Sequence, residues 1–285
     1  MKTRPITVGL DGSSGSAAAA RWALAEGARW GCTVVAVVAW DLLEQAHPAQ
    51  EADFEPHYDE DDASDALLSW LVDAVGTDDA ERFERRPVLD LPARALLAAG
   101  DKSSMLVVGA RGAGGFVGLR LGSVADGVVR HPHVPTVVVT GSGNDAGRVV
   151  VGVDGSAGSQ AALEWAAAEA HVRGVALEIL HAWHPSPLLS WAMLPNASMF
   201  ENVRAESEAV ARLAAQSASG TVADVVTTCI DGSPAQRLFE ASEEASVVVV
   251  GCRGLGRVAG TALGSVSRQV VHHSSCPVAV IPTPE

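Results

Sequence analysis

Short apolar runs alternate with longer amphipathic segments along the whole chain. Runs of Val, Ile, Leu and Ala without polar alternation are typical of strands buried on both faces of a sheet. The strands predicted in the first half are residues 6–10, 33–40, 82–87, 105–109 and 135–140, and the helices are residues 14–30, 63–75, 92–99 and 122–130. Strands that alternate with helices in this way predict an α/β fold. We therefore expect a doubly wound domain, with a five-stranded parallel sheet flanked by helices.

The same order of strands and helices occurs twice, because an internal repeat relates the two halves of the chain. The segments that recur are Val8–Ser13 as Val151–Ser156, Trp22 as Trp165, Trp40 as Trp183, Pro92 as Pro234 and Pro135 as Pro277. A repeat of this length matches a common domain size. We predict two tandem domains, residues 1–142 and 147–285, joined by the small and polar segment 141–147.

Composition narrows the class of protein. The chain has 285 residues, of which 48% are hydrophobic, and no apolar run approaches the ~20 residues of a membrane span. Met1 leads directly into the first predicted strand, so we expect neither a signal peptide nor a membrane span. The four cysteines show no CxxC spacing: Cys32, Cys229, Cys252 and Cys276. We expect a cytoplasmic protein without a disulfide framework or a zinc site.

The negative charge is confined to one segment. The formal net charge is −14, and residues 41–81 hold 14 acidic residues with no Lys or Arg. Charge blocks of this kind usually stay hydrated, so we interpret the segment as a solvated loop followed by a helix start. The balance of charge excludes a nucleic-acid binder that works through a basic face.

Two glycine motifs stand at the same place in both repeats. They are Gly109-x2-Gly112-x9-Gly122-Ser123 and Gly251-x2-Gly254-x9-Gly264-Ser265. Each follows an apolar run and precedes a segment with helical periodicity. A glycine loop between a strand and a helix start gathers backbone N–H groups around a phosphate. The matched spacing therefore favours two anion-binding loops.

The chemistry around these loops suits a nucleotide. Gly109 and Gly112 allow a sharp turn and leave space for a phosphate, while Ser123 opens a helix whose free N–H groups favour negative charge. Asp11, at the end of the first strand, is suited to accept hydrogen bonds from ribose hydroxyls or an adenine amine. The alternative is that the glycines only shape turns and that Asp11 caps the following helix.

Other nucleotide and catalytic motifs are missing from the sequence. No GxxxxGK[ST] occurs, and the only lysines are Lys2 and Lys102. No GxGxxG follows the first strand of either half, and the segment 12–15 is better explained as a helix cap than as a nucleophile elbow. The histidines after the fourth helix of each repeat are predicted to be structural, because they lie near helix C-termini without a matching carboxylate pair. They are His131, His133, His272 and His273.

Taken together, the Asp-Gly-Ser at each first strand and the doubled glycine motif resemble the universal stress protein family, in its tandem two-domain actinobacterial form. The resemblance covers essentially the whole chain. It implies binding of ATP, with Mg2+, between the first and fourth strands, and association into a homodimer. It also implies a regulatory role in a stress response through a client protein, without a catalytic residue and without a metal site made by the protein alone.

The resemblance assigns the nucleotide-binding residues by position. The aspartates would contact base and ribose, the alanines would offer backbone to adenine, and the glycines and serines would hold the phosphates. In the first repeat these residues are Asp11, Gly12, Ser13, Ala39, Gly109, Arg111, Gly112, Gly122, Ser123 and Val124. In the second they are Asp154, Gly155, Ser156, Ala182, Gly251, Arg253, Gly254, Gly264, Ser265, Val266 and Ser267.

The repeats differ at two of the expected contacts. Asp90 stands where the second repeat has Gly232, and Ala125 stands where it has Ser267, so the first repeat lacks one hydroxyl. We expect the second site to be the tighter. Three functions stay open at this stage: a nucleotide-binding regulator, which is favoured, a slow ATPase or other nucleotide-dependent enzyme, and an interaction scaffold without ligand.

Overall fold

The fold is known from a computed structural model that describes residues 4–40, 59–113, 120–141, 143–183, 197–255 and 263–284. The chain divides into two compact units, Met1–Val139 and Thr140–Glu285. One interpretation falls mostly outside the described residues, namely that of the acidic loop before residue 59.

The first unit alternates strands and helices as the apolar pattern predicts. Its strands are β1 (Ile6–Gly9), β2 (Val34–Trp40), β3 (Phe83–Leu89), β4 (Met105–Gly109) and β5 (Thr136–Val139). Its helices are α1 (Ser14–Trp30), α2 (Glu60–Val75), the short α3 (Thr77–Ala80), α4 (Pro92–Gly100) and α5 (Ser123–Arg130). The strands are parallel in the order β3-β2-β1-β4-β5.

The second unit has the same architecture. Its strands are β6 (Val149–Gly152), β7 (Leu177–Trp183), β8 (Val225–Asp231), β9 (Val247–Gly251) and β10 (Val278–Ile281). Its helices are α6 (Ala157–Arg173), α7 (Ala197–Ala218), α8 (Pro234–Ala241) and α9 (Ser265–His273). The parallel order is β8-β7-β6-β9-β10, which is the order of the first unit, so the predicted α/β class and tandem arrangement are confirmed.

The core of each unit lies on both faces of its sheet. Val8 and Val107, on the two central strands of the first unit, are fully buried, as are Val151 and Val249 in the second. Parallel strands must be covered on both faces by their crossover helices, which explains why the sequence shows unbroken apolar runs. Gly9 allows close packing of β1 against α4, because a Cβ there would lie 2.9 Å from the Leu96 side chain and would force it to shift.

Helix ends follow local sequence signals. Ser13 caps α1 by accepting from the N–H of Ser16, so the prediction that the segment 12–15 is a cap is confirmed. Gly31 ends α1 in the left-handed conformation, with φ of 61°. The acidic segment begins α2 earlier than predicted, at Glu60 rather than Ala63, because Asp59 and Asp62 form a reciprocal capping box.

Candidate functional site

The candidate site lies at the carboxyl ends of the two central strands of each unit. The strand order reverses between β1 and β4 in the first unit and between β6 and β9 in the second. Ligands of doubly wound sheets bind at such switch points. The Asp-Gly-Ser loop after the first strand and the glycine loop after the fourth strand therefore lie side by side.

One carboxylate joins these two loops in each unit. In the first, Asp11 Oδ1 accepts from the Ser13 hydroxyl at 2.6 Å and from the Ser13 N–H at 3.1 Å. Its other oxygen, Oδ2, accepts from the N–H of Ala113 in the glycine loop at 2.9 Å. Asp11 does not cap α1, because Ser13 does. The aspartate is instead a bridge between loops that are about a hundred residues apart in sequence.

The second unit repeats this bridge. Asp154 Oδ1 accepts from the N–H of Ser156, and Asp154 Oδ2 accepts from the N–H of Leu255, each at 3.0 Å. A Cβ on Gly112 or Gly254 would collide with Oδ2 of the bridging aspartate. These two glycines are therefore required for the bridge itself, before any ligand is considered.

The bridge lowers the pKa of both aspartates. Burial by itself raises the pKa of Asp11, and hydrogen bonds from the Ser13 hydroxyl and from the N–H groups of Ala113 and Ser13 outweigh it. The pKa of Asp154 is lowered in the same way, since hydrogen bonds from Ser156 and Leu255 outweigh the effect of burial. Both side chains are thus held as carboxylates at neutral pH.

The first glycine of each motif serves helix packing. A Cβ on Gly109 would meet the backbone of Gly15, and one on Gly251 would lie 2.7 Å from the backbone of Gly158. All six motif glycines lie in the described part of the chain, and none has a positive φ. Their backbone therefore has a conformation that other residues also adopt, and the space for a phosphate at Gly109 and Gly112 stays a prediction. Gly109 and Gly251 allow two backbone segments to approach one another closely.

The third glycine opens a helix without a side-chain cap. Gly122 precedes α5 and Gly264 precedes α9, and among the described residues no side-chain cap hydrogen bond forms at either helix start. In contrast, Ser13 and Ser156 cap α1 and α6. Free N–H groups at an uncapped helix start, together with the helix dipole, favour an anion. Exposed Ser123 and Ser265 occupy the first helical position.

A cavity of about 250 Å³ lies beside this helix start in the second unit. Of the residues assigned by resemblance, Asp154, Ala182, Gly251, Arg253, Gly254, Gly264, Ser265, Val266 and Ser267 line it. Gly155 and Ser156 do not, and the N–H of Ser156 donates to Asp154 instead. Residues that the sequence analysis did not single out as ligand contacts complete the wall: Gly152, Val153, Ser159, Leu180, Pro234, Leu238, Val250 and Leu255.

The hydroxyl of Ser267 does not point its proton into the cavity. It donates to the carbonyl oxygen of Gly251 at 2.6 Å, and the residue is buried. Ala125, the matching residue in the first unit, is buried as well. The expectation that this hydroxyl serves the phosphates in one repeat only therefore loses its structural basis, because its single proton is already used within the protein.

Two arginines give the glycine loops a positive charge. Arg111 and Arg253 are exposed, and among the described residues neither forms an ion pair. Arg253 also lines the cavity. Arg120, two positions before Gly122, is also exposed. Free guanidinium groups beside an uncapped helix favour phosphate.

Asp90 does not extend into the glycine loop. It accepts from the N–H of Leu91 at 2.7 Å and lies 3.3 Å from the guanidinium of Arg94. Its counterpart Gly232 has φ of 134°, a conformation that favours glycine, and a Cβ there would meet Arg237. This difference between the repeats therefore has a local structural cause.

The described residues lack two further features. They contain no group of three or more His, Cys, Asp or Glu side chains arranged to hold a metal ion. Within the same ranges, no helix combines the length and the apolar character that crossing a membrane requires.

Comparison with known proteins decides the family. The model of the universal stress protein family matches residues 2–140 and again residues 146–282. The chain belongs to the universal stress protein family. It carries the tandem two-domain form, since each match covers one unit.

Curated relatives in Mycobacterium tuberculosis support this assignment. The universal stress protein Rv2005c of strain H37Rv is 31% identical over 98% of this chain and 97% of its own length. Rv1996 of the same strain is 39% identical over 64% of this chain, a match that spans only 60% of that relative. Among solved structures, a universal stress protein from Archaeoglobus fulgidus is 21% identical with a TM-score of 0.64, covers both chains completely and supports the fold.

Proposed function

We propose that the protein is a stress-related nucleotide-binding regulator that binds ATP, with Mg2+, in each unit. The observation that carries the proposal is the cavity beside the uncapped start of α9, where the glycine loop and Arg253 meet. Its size lies just below the usual range for ligand pockets, about 300–1,000 Å³, so part of a triphosphate would extend outward along the loop.

The lining residues supply complementary chemistry for such a ligand. The N–H groups at the start of α9 and the guanidinium of Arg253 suit the phosphates, while the backbone at Ala182 suits the adenine edge. Asp154 has oxygen lone pairs left for a ribose hydroxyl beyond those that accept from Ser156 and Leu255. Mg2+ would be held chiefly by phosphate oxygens and water, as is usual for this ion.

We expect the protein to bind ATP without hydrolysing it rapidly. Asp154 is the one carboxylate among the described residues that line the cavity, and both of its oxygens accept backbone N–H groups. A general base works best when its pKa lies near the working pH, whereas hydrogen bonds hold the pKa of Asp154 below its ordinary value. We therefore propose a conformational or partner-selecting role in the cytoplasm, through a client protein, rather than catalysis.

Ser265→Pro tests the proposed phosphate contacts. Proline is tolerated at the first position of a helix, where its missing N–H has no partner in the helix. The variant should therefore fold while losing one donor to phosphate. A lost hydrogen bond to a charged group is worth about 1.5–3 kcal/mol, so calorimetry should show ATP affinity at this site reduced about ten- to a hundredfold.

Ser265→Ala is the matched control, since it removes the hydroxyl and keeps the N–H. It should weaken ATP binding less than Ser265→Pro does. If folded wild-type protein binds none of ATP, ADP and AMP, the proposed function is wrong. If Ser265→Pro binds as tightly as wild type, α9 does not hold the phosphates.

A further inference from the structure

The end strands of the two sheets differ although they occupy the same place in the repeat. β3 lies at one end of the first unit's sheet and β8 lies at the corresponding end of the second. β3 has the sequence FERRPVL and β8 has VVTTCID. Strands at a sheet edge present unpaired backbone groups, which natural proteins usually protect with charged residues or proline. β3 carries three charged residues and a proline, whereas the one charged residue of β8 is Asp231 at its end.

The pairing register shows which backbone groups of β8 face outward. The N–H of Leu177 donates to the carbonyl of Asp224, and Leu177 is aligned with Val225. Because parallel pairing uses alternate residues, the residues at 226, 228 and 230 bond to β7. The N–H and C=O groups of Val225, Thr227 and Cys229 therefore point away from the sheet. Among the described residues, none forms a backbone hydrogen bond with them.

The same register shows that β3 is poorly suited to pair with a further strand. The matching outward residues are Phe83, Arg85 and Pro87. Pro87 has no N–H to offer where Cys229 has one, and Arg85 places a charge where Thr227 is neutral. Glu84 and Arg86 add an ion pair at 2.6 Å, whereas Val226 is apolar and 39% exposed at the matching position. The outer edge of β8 is thus suited to pair with a further strand, and the outer edge of β3 is not.

We propose that β8 pairs with β8 of a second copy of this chain, antiparallel, about a twofold axis at Thr227. In that arrangement Thr227 faces its own counterpart, and Val225 faces Cys229 of the second copy. Each of these pairs exchanges both of its N–H···O=C hydrogen bonds. A Thr–Thr pair across antiparallel strands is favourable, and no like charges are opposed.

The contrast with β3 points to a second copy rather than an unrelated strand. Self-pairing of β3 in the same geometry would oppose two copies of Arg85, which is destabilising, and Pro87 would remove a hydrogen bond on each side. The chain therefore permits self-association at one edge and blocks it at the other. Such a contact uses the same surface on both copies and closes as a dimer instead of extending into a filament.

Sedimentation velocity over a range of protein concentrations, with a reductant present, tests the proposal. We expect wild-type protein to reach a dimer. Thr227→Arg introduces the charge that Arg85 has at the matching position of β3, and Cys229→Pro removes an N–H as Pro87 does. Each substitution should raise the dimer dissociation constant about tenfold or more. Thr227→Ser and Cys229→Ser are the matched controls and should dimerise as wild type does, because both keep the neutral edge and its N–H groups.

Hydrogen exchange identifies the surface directly. The amides of Thr227 and Cys229 should exchange slowly in concentrated wild-type protein and quickly in Thr227→Arg, while the amides of β7 stay protected in both. If the wild type is a monomer at every concentration, or if its dimer survives both substitutions in folded protein, the proposal is wrong. Neither outcome bears on nucleotide binding, which is measured separately.

Discussion

At the scale of single residues, Asp11 and Asp154 have a structural role besides any contact with a ligand, because each joins two loops. Each accepts N–H groups from two loops that the sequence separates widely, and each occupies the space that a Cβ on Gly112 or Gly254 would need. A substitution at either glycine would therefore disturb the loop even in protein without nucleotide. Loss of binding in such a variant would not by itself locate a phosphate.

Asp154→Asn should lower stability in a pH-dependent way. The folded-state pKa is lowered from its ordinary 3.8, so the carboxylate stabilises the folded state above that pH. That contribution is lost as the pH falls through the lower folded-state value. We expect a loss of about 1 kcal/mol at pH 7, and thermal unfolding should show the gap to wild type closing below about pH 4.

The control for this experiment is Asp224→Asn, which alters an exposed aspartate whose carbonyl, rather than its side chain, pairs with β7. It should track the wild type at every pH. A gap between Asp154→Asn and wild type that stays constant down to pH 2 would show that the ionised bridge does not contribute to stability.

At the scale of elements, a buried polar contact ties β1 to the turn before β4 in the first unit. The Thr7 and Ser103 hydroxyl oxygens lie 2.6 Å apart, and Ser103 donates to the carbonyl of Ala99 at 3.0 Å. Thr7 is therefore the donor to Ser103. The second unit fills the matching positions with Val150 and Ala245, both fully buried. The same fold thus accepts either a hydrogen-bonded or an apolar solution at this contact.

A double-mutant cycle at this contact should be strongly non-additive. Ser103→Ala leaves the Thr7 hydroxyl buried without an acceptor and should cost about 1–3 kcal/mol of unfolding free energy, while Thr7→Val should cost about 1 kcal/mol. The double variant reproduces the pair found in the second unit and should be less destabilised than Ser103→Ala alone. Urea unfolding measures all three. Additive losses would show that the two hydroxyls do not interact.

At the scale of the whole molecule, the two units share one strand order and one bridge between loops. The features proposed to bind phosphate occur in both, namely an uncapped helix after the glycine motif and an exposed arginine at Arg111 or Arg253. Ser267, which had been expected to distinguish the sites, donates within the protein. Asp90 and Arg120 in the first unit are two positions at which the repeats differ, since the second repeat has Gly232 and Ala262 there.

We expect two nucleotides per chain. Native mass spectrometry near the dissociation constant of the wild type should show up to two bound, and Ser123→Pro and Ser265→Pro should each remove one. The double variant should retain none under the same conditions. One nucleotide per chain in the wild type, unaffected by one of the two substitutions, would assign binding to the other unit alone.

The sequence by itself determined the features that depend on residues close together in the chain and on the spacing of apolar residues. Apolar runs predicted β1, β2, β4 and β5, because burial on both faces of a parallel sheet leaves no polar alternation, whereas the edge strand β3 carries charged residues. The cap at Ser13 and the tandem repeat could also be predicted, since both depend on contiguous residues. The positions of the glycine motifs were visible too, but not the reason for each glycine.

Only the tertiary structure decided what depends on residues that are distant in the chain. It placed Gly109 against Gly15, joined Asp154 to Leu255, and brought Pro234 and Leu238 to the cavity wall. It also decided that Cys229 presents its N–H outward while Val226 does not, because that depends on pairing with β7. Spacing along one strand cannot show these contacts, since each is created by the packing of segments that the sequence does not connect.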